Sequence, residues 1–177
     1  MSQLDDIDRT ILDLLQRDAR MTNAAIAAEV GLTASSVFER IRKLEGRGVI
    51  LGYTARVDPA ALGKPLTAFI RLTAGYDEKH DPGMIEISRD PDVLEIYSVA
   101  GEDCFLIKTK VASPDQLQSL INRVRSNITV LRSVTMIVMS SLKEGAPINV
   151  LDGPAAVAPN GRPDQPVPHK RQARNTQ

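Results

Sequence analysis

The sequence predicts an α+β chain in two parts: a winged helix-turn-helix of three short N-terminal helices, then a C-terminal part with the βαββαβ order of a ferredoxin-like fold. Three observations lead there. Apolar residues recur at helical spacing through the first 48 positions, the second and third runs each preceded by a capping threonine. From residue 66 the rhythm changes to β-branched, alternating runs separated by two further helical patterns. After Lys143 the composition breaks, with 6 of the 11 prolines and no aromatic residue in the last 34 positions.

The first helix is amphipathic, with Leu4, Ile7, Ile11, Leu14 and Leu15 on one stripe and Asp5, Asp6, Asp8, Arg9, Asp13 and Gln16 between them. Thr22 supplies an N-cap hydroxyl to a second, short helix carrying Ala25, Ile26 and Val30, and Gly31 supplies the left-handed residue that ends it. Thr33 caps a third helix with a buried stripe of Val37, Ile41 and Leu44, closed by Gly46 and Gly48. Val49 to Val57 is rich in β-branched and aromatic residues and predicts a strand or small hairpin.

Leu66 to Thr73 alternates around Phe69, Ile70 and Leu72 and predicts a strand. Pro82 to Arg89 predicts a helix opened by a proline at its first position. Val93 to Val99 and Cys104 to Val111 predict a hairpin across Gly101-Glu102-Asp103. Ser113 caps a helix with Pro114 at its first position and Leu117, Leu120, Ile121 and Val124 on one face. Val130 to Met139 predicts the last strand. The domains expected are 1–52, a linking strand and hinge over 53–65, 66–143, and a disordered Pro/Gly/Ala-rich tail over 144–177, whose apolar surface is too small to offset the cost of ordering it.

The chain has 177 residues, with 22 basic and 22 acidic side chains and 42% apolar content, which suits one or two small packed domains. No stretch reaches about 18 uncharged apolar residues, and Asp5, Asp6, Asp8 and Asp13 among the first twenty residues argue against a secretory leader, so a cytoplasmic protein without membrane partners is expected. One cysteine, Cys104, cannot close an internal disulfide, nor can it with His80 and His169 complete a four-ligand zinc site. Neither metal nor cofactor is expected. His80 reads as a solvated loop histidine in Asp77-Glu78-Lys79-His80-Asp81.

Neutral net charge hides a local excess: residues 1–63 hold 8 basic and 9 acidic groups, whereas residues 33–47 hold 4 against 2. A nucleic acid would therefore meet a patch, not the whole surface. A small Ala27 at the helix crossing, Gly31 in the turn and Val37 entering the core fit a helix-turn-helix, whose second helix enters the DNA major groove. Thr33, Ala34, Ser35, Ser36 and Glu39 occupy the end of that helix that meets base edges, and Arg40, Arg42, Lys43 and Arg47 lie beyond, suited to phosphate. Glu39 either accepts from cytosine N4 or, the favoured role, pairs with Arg42 or Lys43 at helical spacing. The bland alternative is a structural three-helix bundle with a solvated charged face.

Leu4-Asp5-Asp6-Ile7-Asp8-Arg9-Thr10-Ile11-Leu12, Asp18-Ala19-Arg20, Val37 to Glu45 and Gly48-Val49-Ile50-Leu51-Gly52-Tyr53 strongly resemble the Lrp/AsnC, or feast/famine, family of transcription regulators. Gly101, Leu106-Ile107-Lys108 and the last strand through Val138 and Met139 resemble that family's amino-acid-binding RAM domain. The resemblance spans about residues 2–143 and leaves the tail unexplained. It implies binding to double-stranded promoter DNA of amino-acid metabolism or transport genes, a homodimer joined through its sheets that assembles to tetramers or octamers, and a small effector, usually an amino acid. Carried over position by position, it implies effector contacts at Ser98, Ala100, Gly101, Glu102, Asp103, Cys104, Pro114, Met136, Ile137 and Val138. Many members carry aspartate then an aromatic at the positions of Cys104 and Phe105; here the aspartate comes one position earlier. Either Asp103 takes the ammonium-binding role or a different ligand is sensed.

Two other classes compete. A few proteins resembling this family, such as siroheme decarboxylase subunits, are catalytic, but that chemistry needs acids or metal ligands in a cleft. Neither His80 nor Cys104 has a suitable neighbour in sequence, so no enzyme activity is expected. A ligand-binding module with a decayed helix-turn-helix is the third, against which the basic cluster of the third helix argues.

Overall fold

The structure, a computed structural model, describes residues 4–151. They form two compact units: residues 4–53 with 145–151, and residues 54–144.

The first unit holds α1 (Asp6–Arg17), α2 (Asn23–Val30) and α3 (Ala34–Gly46). Each start is capped as the chemistry requires: Asp5 accepts from the Asp8 N–H, Thr22 from Ala25 and Thr33 from Ser36. Gly31 takes φ 67°, ψ 33°, and its N–H and that of Leu32 both bond the Ala27 carbonyl, which turns the chain sharply into α3. Ile11, Leu12, Ile26, Ala27, Val37 and Leu44 are buried together at the three-helix crossing, with Ile41 packed at its margin. Each of the larger ones contributes roughly 1.5–3 kcal/mol.

In the second unit, β1 (Leu66–Ala74), β2 (Val93–Ser98), β3 (Phe105–Val111) and β4 (Val130–Ile137) form one antiparallel sheet in the order β2-β3-β1-β4, with α4 (His80–Ser88) and α5 (Pro114–Asn127) as crossovers. This is the ferredoxin-like arrangement that the βαββαβ order implies. Ala68, Ile70, Leu72 and Ala74 alternate inward on β1 against Ile107, Val111, Leu117, Leu120 and Val124. Thr67, Phe69, Arg71 and Thr73 point to the sheet's other face, where no helix of the described residues packs.

Four expectations need correction. Residues 49–58 form no strand: the segment pairs with no strand among the described residues and Leu51 is 94% exposed, so the wing and linking strand are extended loop instead. The fourth helix begins at His80, two residues before Pro82. A proline in the first turn removes an N–H that has no intrahelical acceptor anyway, so it need not stand first. His80 is not solvated; it is 8% exposed, stacked on Tyr76 at 4.4 Å and tilted against Phe105, with Nδ1 2.7 Å from Asp81 Oδ1. Finally, residues 145–151 at the start of the expected disordered tail return to the helical unit, where Val150 packs on its core. The remainder of the tail, His169 included, lies outside the described residues.

Gly83 has a packing reason that sequence spacing did not reveal. A Cβ there would collide with the Asn127 carbonyl and the Ile128 methyl, so glycine lets α4 lie against the end of α5.

Candidate nucleic-acid interface and effector turn

On α3, residues 35–36, 39–40, 43 and 47 share a face by their three- and four-residue spacing. The structure places Ser35, Ser36, Glu39, Arg40, Lys43 and Arg47 along one open cleft of about 630 Å³, walled on the α1 side by Asp5 and Asp8. Val37 is fully buried in the three-helix core and turns that face outward, while the buried Leu44, one turn beyond Arg40, also borders the cleft. Thr33 does not line the cleft and its hydroxyl is engaged: it caps α3 and lies 3.0 and 2.9 Å from the Ser35 and Ser36 hydroxyls. Arg42 is outside the cleft, on the neighbouring stripe with Phe38 and Glu45. No ion pair joins Glu39 to Arg42 or Lys43 among the described residues, so the favoured intrahelical role does not form and Glu39 faces the cleft.

Arg40 departs most from expectation. Its Nη1 donates to Asp5 Oδ2 and Asp8 Oδ1, each at 2.7 Å. Asp5 thus caps α1 with one oxygen and holds α3 with the other. The Asp8 N–H, then the Arg40 guanidinium, hold the Asp5 carboxyl below the usual carboxylate range, and both carboxylates push Arg40 up. One guanidinium between two carboxylates offers a phosphate no net positive charge, so Arg40 is an architectural tie between α1 and α3. The signal was present in sequence: Asp5 lies three residues before Asp8, an N-cap pattern that aims a carboxylate along the first turn.

At the far end of the sheet, the β2–β3 turn is closed by the Val99 N–H to the Cys104 carbonyl at 2.9 Å, and the Cys104 N–H bonds the Leu72 carbonyl. Gly101 has φ 143° with open space where a Cβ would stand, so its requirement is conformational. Asp103 is buried and accepts from Arg71 Nε at 2.6 Å and from Arg71 Nη2, while its Oδ1 has no partner among the described residues. Thr73 donates to the Glu102 carbonyl, and Arg132 lies 3.7 Å from the Glu102 carboxylate. Ser98, Ala100, Gly101, Glu102, Asp103 and Cys104 thus gather at the Leu72 end of β1, opposite Phe105 and Ser133.

Met136 and Ile137 pair with Phe69 and Ala68, about 10–13 Å away along β1. Val138 bonds the Thr67 carbonyl and lines a separate concavity of about 490 Å³ with Phe69, Lys108 and Lys143. Pro114 opens α5 just past Val111, the residue paired with Leu66. One chain therefore holds the ten implied effector positions as two groups at opposite ends of its sheet. Arg71, which sequence reasoning did not single out, belongs with the first; an arginine inside an alternating strand was the available signal.

Comparison with known proteins agrees with both halves. Residues 4–45 match the AsnC-type helix-turn-helix domain, and residues 67–148 match the Lrp/AsnC ligand binding domain. The chain is 38% identical over 134 residues to the HTH-type transcriptional regulator LrpA of Mycobacterium tuberculosis, covering 76% of this chain and 89% of that one. It is 34% identical over 143 residues to the glutamate uptake regulatory protein of Zymomonas mobilis, covering 80% and 87%. The crystal structure of the leucine response regulatory protein of M. tuberculosis superposes with a TM-score of 0.71 at 36% identity, over 81% of this chain and 97% of that one.

Proposed function

Because the chain belongs to the Lrp/AsnC family of transcription regulators, with both family domains matched in order, we propose that α3 docks in the major groove of promoter DNA while the α/β unit binds an amino acid that sets the affinity. The single observation that carries this reading is the shared α3 face. Ser35, Ser36 and Glu39 precede Lys43 and Arg47 on it, hydroxyls and an acceptor for base edges followed by cations for phosphate. Arg42 serves phosphates at the flank. Thr33 holds the end of the helix in shape instead of reading bases.

We take the working form to be a homodimer in the cytoplasm, assembling further to tetramers or octamers. Phe69, Leu106, Val134 and Met136 leave an apolar stripe on the uncovered sheet face, which a second copy would bury. Pairing also supplies what one chain lacks, since a pocket using both the Gly101 turn and the Met136–Val138 strand end needs more than one copy. Within the turn, backbone amides beside Gly101 take the carboxylate, and the unpartnered Asp103 Oδ1 is the acceptor offered to the ammonium group. Relatives named for glutamate uptake and leucine response support an amino acid as effector and amino-acid metabolism or transport genes as targets.

The test is selection of duplex DNA from genomic fragments by the full chain, a salt titration of the selected fragments, and repetition with each of the twenty amino acids. A steep loss of affinity with salt, together with a shift caused by one or a few amino acids, is expected. Failure to retain any duplex at low salt overturns the proposal.

A further inference from the structure

The polypeptide passes between its two units twice, at residues 53–54 and again at residues 144–145. The second passage ends in a strap. Gln16, exposed on α1, grips the backbone of residue 148 at two points: its Oε1 accepts from the Ile148 N–H at 2.8 Å, and its Nε2 donates to the Ile148 carbonyl at 2.9 Å. Two residues on, Arg9 Nη1 donates to the Val150 carbonyl at 3.0 Å, and the Val150 side chain joins the three-helix core. Since residue 148 meets position 16 and residue 150 meets position 9, the strap runs against the direction of α1. A side-chain amide that satisfies both backbone groups of one residue mimics a strand partner, so this short segment docks without a sheet.

Both passages are anchored on either side. On the first, the Tyr53 hydroxyl donates to Glu45 of α3, and three residues later Arg56 Nη2 donates to the Glu144 carbonyl. On the second, the Glu144 carboxylate meets Lys108 at 3.0 Å and Lys110 at 3.3 Å, and four residues later Gln16 holds Ile148. Each free span is three or four residues, which at full extension reaches only about 10–14 Å.

We propose that the 145–151 strap determines which half-site spacing the regulator accepts. This rests on the reading that two copies bind DNA through paired α3 helices. In such a pair the second half-site is bound intramolecularly, with an effective concentration set by how far and how freely the second unit can move. A doubly tethered unit samples few positions, so affinity concentrates at one spacing. A unit held only at residues 53–54 samples many, so affinity at the preferred spacing falls and neighbouring spacings gain. Gln16, Ile148 and Val150 act as positioning residues for α3 and touch no base.

The experiment uses the half-site recovered by the full chain, placed as inverted repeats at centre-to-centre spacings from about 8 to 14 base pairs around one helical turn, with no amino acid added. Binding is compared for the unaltered chain, Gln16→Ala, and chains ending after Leu151 or after Glu144. A duplex with one half-site reports the integrity of the recognition helix. The chain ending after Leu151 should keep the sharp preference of the unaltered protein. Gln16→Ala and the chain ending after Glu144 should lose about five- to tenfold of it while binding the single half-site within about twofold of the unaltered chain. A Gln16→Ala spacing profile that superposes on the unaltered one overturns the strap's role even if DNA binding is strong. Absence of DNA binding by the unaltered chain overturns the paired-helix reading, and the strap proposal with it.

Discussion

Arg40→Ala separates two accounts of the third helix. A guanidinium directed at phosphate could be removed with little loss of stability, and it would flatten the dependence of log affinity on log salt by about 0.9 per contact. The structure predicts the reverse. Removing Arg40 deletes two 2.7 Å charged hydrogen bonds and leaves Asp8, its side chain 12% exposed, without its cationic partner. The Asp5 arm is half-exposed and contributes no more than about 1 kcal/mol, whereas orphaning the Asp8 carboxylate costs about 1–3 kcal/mol. A loss of about 2 kcal/mol from the helical unit is therefore expected. For a unit of this size that lowers its thermal midpoint by roughly 8–16 °C, measured by far-ultraviolet circular dichroism. The salt slope, measured well below that midpoint, should be nearly unchanged. The difference between wild type and variant should also depend on acid. Folding lowers the Asp5 pKa, so this part of the stability is fully present above the unfolded aspartate value of about 4 and is lost as pH falls through the lower folded value. An Arg40→Ala protein with an unchanged midpoint and a flattened salt slope would refute the clamp.

Three further outcomes test the rest of the structure. Arg71→Ala leaves Asp103 buried without its cation and should cost the α/β unit about 2–3 kcal/mol in urea unfolding; a neutral effect would show that the turn does not depend on this pair. Gly83→Ala forces a Cβ onto the Asn127 carbonyl and should destabilise the same unit by about 1–3 kcal/mol, with faster amide exchange in α4 and the end of α5. Ending the chain after Glu144 should lower helical-unit stability by about 1–2 kcal/mol relative to ending it after Leu151, as Val150 and the bonds from Gln16 and Arg9 are lost. Equal thermal transitions for those two chains would count against the strap's packing.

The sequence by itself determined the elements, because their causes are short-range. The hydroxyls of Thr22, Thr33 and Ser113 cap N–H groups three residues on, Gly31 turns the chain where it stands, and strand alternation reports which face is buried. The outward face of α3 was legible for the same reason, since residues 35, 36, 39, 43 and 47 meet through helical spacing alone. What only the tertiary structure decided concerns side chains whose partners lie far along the chain. Arg40 reaches back 35 residues to Asp5, Arg71 reaches 32 forward to Asp103, and Gln16 meets Ile148 across 132. His80 looked solvated among charged neighbours until Tyr76 and Phe105 enclosed it, and Val49 to Val57 had strand composition but no edge to join. Propensity and capping act within about one turn of chain, whereas ion pairing and burial depend on which distant segments packing brings together.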